Sequence, residues 1–219
     1  TVLRVAGQGS QGRYFWHCRC SCAAQTEVVV NGSSLQCGNT NSCGCLRGGV
    51  HFIDYLEAGH YFGLDINASL IEAGKLEVDL RGLGDKAPQL LVDDGFRSSR
   101  FGRRFDYMLS VSVFTHLPIN HILRCLHESK SSLAPGGVYY ATYFEAPAST
   151  WVDPVRHPGG VTTHFDQDPF HYAFEEIAWM ARHVGLRAER IGDWAHPRNQ
   201  MMAAFTLPDS AEVDAEPFA

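Results

Sequence analysis

Ser42-Cys43-Gly44-Cys45-Leu46-Arg47-Gly48-Gly49 is the stretch from which the fold is read. In the segment that follows, Leu46 to Glu57, the residues Val50, Ile53, Tyr55 and Leu56 fall near one apolar stripe, which predicts a helix ending near Gly59. Tyr61-Phe62-Gly63-Leu64-Asp65 then reads as a buried strand that ends in an acid. A small-residue loop, a helix and a strand closing on a carboxylate are the parts of a nucleotide-type cofactor site. The glycines let backbone N–H groups approach a ligand, and the helix N-terminus adds partial positive charge. The acid can accept hydrogen bonds from ribose hydroxyls, and Asp65 lies roughly 20 residues beyond the loop, the spacing that such a unit needs.

Downstream, strands and helices alternate. Ala68 to Val78 reads as a helix. After Pro88, Gln89 to Asp94 reads as a strand ending in two acids, Asp93 and Asp94. Asp106 to Phe114 is nearly apolar throughout, as a parallel strand covered on both faces should be. Pro118 to Leu133 is a helix with Ile122, Leu123, Leu126 and Leu133 as its stripe; Ala134 to Gly137 is a turn, and Val138 to Phe144 the next strand. The order predicts an α/β fold with a doubly wound, mostly parallel sheet. Pro147 to Pro169 reads as a loop or lid, and its histidines His157 and His164, with His171 beyond, are too irregularly spaced to argue for a metal. Phe174 to Val184 reads as a helix with Ile177, Met180 and Val184 inward, followed by strands at Leu186 to Ile191 and Gln200 to Thr206. Between them, Gly192 to Arg198 sets polar groups around Trp194, where they could touch a substrate.

The 219 residues suffice for one α/β domain with a small appended module. A net charge of −6 gives no global electrostatic case for nucleic-acid binding. No apolar run approaches the ~20 residues needed to span a membrane. No charged-then-apolar leader opens the chain, and the start at Thr1, with no methionine and already strand-like, suggests a fragment, so a cytoplasmic location is a default expectation. Six of seven cysteines lie between Cys18 and Cys45. Thr1 to Val5, Arg13 to Cys20 and Thr26 to Val30 read as three short strands around them. Cys20-x-Cys22 and Cys43-x-Cys45 could together supply a tetrahedral thiolate zinc site. The alternative is a set of reduced cysteines packed as small apolar residues. The expected organisation is a Cys-rich ribbon-like segment over 1–45, an α/β domain over 46–207 and a disordered acidic tail over 208–219.

Two resemblances follow. Residues 1 to 45, with Trp16-x-Cys18-x-Cys20-x-Cys22 and then Ser42-Cys43-Gly44-Cys45, resemble a ribbon module of phage and mobile-element proteins, often found beside DNA-binding or nuclease domains. From about Gly44 to Thr206, the segments Cys43 to Gly49, Gly63-Leu64-Asp65, Val92-Asp93-Asp94, Phe105 to Leu117 and Leu133 to Gly137 resemble class I S-adenosylmethionine-dependent methyltransferases. That resemblance implies a Rossmann-like sheet closed by an antiparallel strand pair. It also implies cofactor contacts from Gly44 and Gly48, a ribose partner in Asp65, an adenine partner in Asp93 or Asp94, and Ser112 and Val113 under the cofactor. In this sequence the family's apolar first strand is missing: Gln36 to Ser42 is polar, with Thr40 where the acid belongs and Ser42 where the first glycine belongs.

In-line methyl transfer needs alignment more than a strong catalyst, and a base only when the acceptor must lose a proton. His116 and Glu145, at the ends of the fourth and fifth strands, are the candidates for that base, with a structural hydrogen-bonding role as the alternative. The reading is S-adenosylmethionine-dependent methyl transfer to an unidentified, small-molecule acceptor. The rival reading is a zinc-ribbon protein with nucleic-acid contacts, fused to an incomplete, inactive methyltransferase domain. A dehydrogenase is disfavoured because Gly-x-Gly-x-x-Gly is not intact.

Overall fold

The structure, a computed structural model, describes residues 49–147 and 149–208 in full, and the backbone of 2–8, 14–19 and 27–31. It has two compact units, one of residues 1–63 and 69–90 and one of residues 64–68 and 91–219.

In the first unit, strands β1 (Val2–Gln8), β2 (Tyr14–Arg19) and β3 (Glu27–Asn31) form an antiparallel sheet in that order. The expected zinc ligands Cys20, Cys22, Cys43 and Cys45, the cofactor glycines Gly44 and Gly48 and the polar segment Gln36 to Ser42 lie outside the described residues. So does the tail beyond Pro208. Helix α1 (Gly49–Tyr55) buries Ile53, but Tyr55, placed on its stripe by the sequence, is 86 % exposed. Strand β4 (Phe62–Asp65), helix α2 (Ala68–Leu80) and strand β5 (Gln89–Val92) follow, with residues 64–68 and those from 91 on counted in the second unit, and β4 and β5 pair as a two-stranded sheet. The Gln89 N–H donates to the Tyr61 carbonyl, and the Asp93 N–H donates to the Asp65 carbonyl, both at 3.0 Å. Both sequence positions advance together, so the strands run parallel.

The second unit is built on β7 (Leu133–Glu145), which follows β6 (Phe105–Ser110) and helix α3 (Ile119–Ser132). The remaining elements are the short strands β8 (Val155–Arg156), β9 (Thr162–Thr163) and β10 (His171–Tyr172), helix α4 (Phe174–His183), β11 (Arg187–Asp193) and β12 (Gln200–Thr206). Parallel β6 and β10 pair with β7, and antiparallel β12 pairs with β7 over Val138 to Phe144 and then with β11. The expected antiparallel closing pair is therefore present. Among the described residues no strand joins β4 to β6.

The sequence places a turn at Ala134 to Gly137 and starts the strand at Val138; the chain instead carries that motif as an irregularity inside β7. Phe105 pairs with Leu133 and Tyr107 with Val138, so the extra residues bulge out. Gly136 sits at φ 77°, and a Cβ on Gly137 would stand 2.8 Å from the Phe105 carbonyl oxygen. α3 buries Ile122, Cys125, Leu126 and Ser129, spacing that puts one helical face on the sheet. α4 adds Ile177, Met180 and Ala181, while the Glu176 carboxylate caps its start by accepting from the Ala173 N–H at 2.8 Å. Phe114, Tyr139 and Phe205, with centroids 5.7–6.3 Å apart, are the aromatic centre of the core.

Candidate functional site

The strand ends of the second unit gather most of the residues expected to work. Asp65 ends β4 and is half-buried. Its Oδ1 accepts from the Asn67 N–H at 2.7 Å, which turns the chain toward α2. This bond engages Oδ1, and among the described residues Oδ2 has no hydrogen-bond partner.

Asp93, just past the end of β5, is enclosed. Its Oδ1 accepts from the N–H groups of Gly95 (2.8 Å) and Arg97 (3.0 Å), and its Oδ2 accepts from Arg97 Nε (2.9 Å) and Arg100 Nη1 (3.0 Å). Burial by itself would raise the carboxyl's pKa. The Arg97 and Gly95 backbone groups, then the Arg100 and Arg97 guanidinium groups, outweigh it and hold the pKa at about 2. A carboxylate offers about four acceptor positions, and all four are filled. Of the two acids expected at the adenine, Asp94 is the open one: its side chain is 77 % exposed and, among the described residues, pairs with Arg97.

The fourth strand was expected to run to Phe114, with Ser112 and Val113 at its end. β6 instead stops at Ser110, and residues 114–116 form a single 3-10 turn. The turn-off is Ser112, held at φ 58°. Its N–H donates to Thr142 Oγ1 (2.8 Å), its hydroxyl exchanges hydrogen bonds with the Gln200 amide, and Thr142 donates to Gln200 Oε1 at 2.7 Å. Thr142 and Gln200 are buried, so this network is satisfied where water cannot help it. Neither partner was singled out in the sequence.

His116 closes the 3-10 turn and is exposed. Its Nδ1 meets Asp168 Oδ1, a residue that sequence reading missed because it lies 52 positions away. The same two segments are joined by the Phe170 N–H to the Thr115 carbonyl (2.7 Å) and the Tyr172 hydroxyl to the Leu117 carbonyl. With Nδ1 turned to a carboxylate, Nε2 is the nitrogen that can take a proton. Glu145 is differently placed. Its Oε2 accepts from Arg190 Nη2 at 2.6 Å beside the buried Tyr143 hydroxyl, whose pKa is pushed up by burial and then by the Glu145 charge. Of the two candidate bases, Glu145 is engaged by a guanidinium, whereas His116 meets a carboxylate through Nδ1.

Among the described residues no group of three or more His, Cys, Asp or Glu is placed to hold a metal ion, and no helix is long and apolar enough to cross a membrane. The segment Pro147 to Pro169, read as a loop or lid, contains the β8–β9 hairpin, and Thr163 within it joins His157 to His171.

Residues 42–141 match the family model described as a methyltransferase domain. None of the curated proteins matches the sequence. Among solved structures, an S-adenosylmethionine-dependent methyltransferase from Clostridium acetobutylicum is 11 % identical, over 72 % of this chain and 78 % of that one, with a TM-score of 0.55. The glycopeptide N-methyltransferase MtfA, complexed with S-adenosyl-L-homocysteine, is 14 % identical over 75 % and 78 %, with a TM-score of 0.55. The CcbJ methyltransferase from Streptomyces caelestis is 12 % identical over 68 % and 74 %, with a TM-score of 0.52. At these identities the likeness establishes the fold alone: the chain is Rossmann-like α/β.

Proposed function

We propose that this chain transfers a methyl group from S-adenosylmethionine to a small-molecule acceptor. The observation that carries the reading is that the stretch matching the methyltransferase family, 42–141, contains the strand ends where Asp65, Asp94 and the Ser112–Val113 turn stand. Asp65 fits the cofactor because a strand-end carboxylate with one oxygen open can accept from ribose hydroxyls. Asp94 is the acid available to an adenine amino group, Asp93 being filled, and Ser112 and Val113 form the turn beneath the cofactor. Gly44 and Gly48, which the resemblance implies as backbone contacts of the cofactor, lie outside the described residues. When bound, S-adenosylmethionine supplies a methyl group made electrophilic by its sulfonium. The chain's own chemistry is positional: His116 takes the acceptor's proton at Nε2 while Asp168 fixes Nδ1, and Arg190 holds the Glu145 side chain in place through an ion pair.

Isothermal titration of the chain with S-adenosylmethionine tests the reading. Saturable binding with a micromolar Kd (about −8 kcal/mol) is expected, and it should survive a zinc chelator. A folded chain that gives no binding heat would sink the proposal.

A further inference from the structure

The segment 149–163 is tied to the sheet by a buried chain of three polar side chains. His157 is 5 %, Thr163 0 % and His171 1 % exposed. Their proton directions follow from chemistry alone. The Trp151 carbonyl can only accept, so His171 Nε2 carries a hydrogen and donates to it at 2.6 Å. In neutral His171 the other nitrogen, Nδ1, accepts the Thr163 hydroxyl proton at 2.9 Å. The Thr163 oxygen in turn accepts from His157 Nε2 at 2.9 Å. All three bonds are satisfied in this single direction, with both imidazoles neutral. The His157 ring also packs on Phe144 of β7, with centroids 4.2 Å apart.

A second proton disrupts this arrangement. On His171 it sets an N–H against the Thr163 hydroxyl, whose hydrogen must turn to the Val155 carbonyl at 3.4 Å, longer than a good O–H···O bond of about 2.8 Å. On His157 it creates a cation with no carboxylate to receive it, and burial, then the charge of His171, already hold that ring's pKa below its ordinary value. The charged and titratable neighbours offer no relief. Arg156 and Asp153 are exposed beside His157, His164 follows Thr163, and the Arg198 stem lies against Gly159. Glu145, next to Phe144, is paired with Arg190. None is hydrogen-bonded to either clasp imidazole.

We propose that His157, Thr163 and His171 form a proton-sensitive clasp. With both rings neutral it holds residues 149–163 against β7 and β10, and a proton on either ring releases them while the helical core stays folded. What the clasp positions is Trp151, which is exposed and packs edge-on against exposed Phe165 at 5.2 Å. The inference does not depend on methyl transfer.

Amide hydrogen exchange on peptides covering 149–163, from about pH 8 to about pH 5 and corrected for intrinsic rates, tests it. Protection should fall at least about 10-fold per unit below about pH 6, while peptides from α3 stay protected. His157→Gln combined with His171→Gln should flatten that dependence. Thr163→Val, nearly isosteric, should lose about 10-fold protection at pH 8 with α3 unmoved, and it decides the matter should the double variant not fold. Flat wild-type protection, α3 opening in step with 149–163, or a Thr163→Val chain as protected as wild type would each overturn the clasp.

Discussion

Asp65 and Asp93 end neighbouring parallel strands and are joined by a backbone hydrogen bond, yet their carboxylates have opposite fates. Asp93 is buried, with every acceptor position filled by the loop that follows it. Asp65 uses one oxygen locally and keeps the other open. The difference lies in what comes next in the chain. After Asp93 come Gly95, Arg97 and Arg100, whose N–H groups and guanidiniums fold back onto it. After Asp65 comes Asn67, which contributes a single N–H. Equivalent strand-end positions therefore give a structural anchor in one case and a ligand-binding candidate in the other.

Removing the anchor should have the largest effect. Asp93→Ala leaves two buried-side N–H groups and two guanidiniums without their acceptor, and should cost about 3 kcal/mol in urea denaturation. A loss below about 1 kcal/mol would mean that the loop 93–101 holds itself. The same anchor sets an acid response. Its folded pKa, about 2, lies below its ordinary value of 3.8, so its contribution is complete above about pH 4 and is lost as pH falls through about 2. The shift corresponds to about 2 kcal/mol, and Asp93→Asn should remove that part of the acid transition.

How much of this was legible depended on whether the partners were local. The helices α3 and α4 follow from periodicity, because burial of one face imposes that pattern over many residues, whereas the antiparallel β11–β12 pairing came from the family resemblance and the start of β7 was misplaced. The end of β6 was not legible. Met108 to Phe114 is apolar enough to continue as a strand, and the chain leaves it only because Thr142 and Gln200, 30 and 88 positions away from Ser112, supply the bonds that hold Ser112 at positive φ. Asp168, 52 positions from His116, was hidden for the same reason. The Asp93 loop is a different case. Arg97 and Arg100 stand four and seven positions beyond the acid, near enough for the sequence to have marked it as an anchor. A reading guided by the family's adenine contact passed over them.

The second prediction concerns the open acid. Asp65→Asn keeps an oxygen for the Asn67 N–H but replaces a charged acceptor with a neutral amide. S-adenosylmethionine affinity should fall about 10-fold, or about 1.4 kcal/mol, with the urea midpoint unmoved. An unchanged affinity would place the ribose elsewhere. A drop in stability matching that of Asp93→Ala would erase the distinction between the two acids.

Asp94 should respond least, and its response sharpens the comparison most finely. Its carboxylate is largely solvated and its one ion pair, to Arg97 at 3.1 Å, is of the exposed kind that contributes about 0–1 kcal/mol. Asp94→Asn should therefore move the urea midpoint by no more than about 0.5 kcal/mol. If Asp94 meets the adenine amino group, the same change should weaken S-adenosylmethionine binding about 3-fold, and a competitor lacking that amino group should lose the distinction between wild type and variant. Equal affinities for both proteins would leave the adenine to backbone groups of the loop. The strand-end acid at β5 would then serve structure alone, and ligand recognition by carboxylate would rest on Asp65.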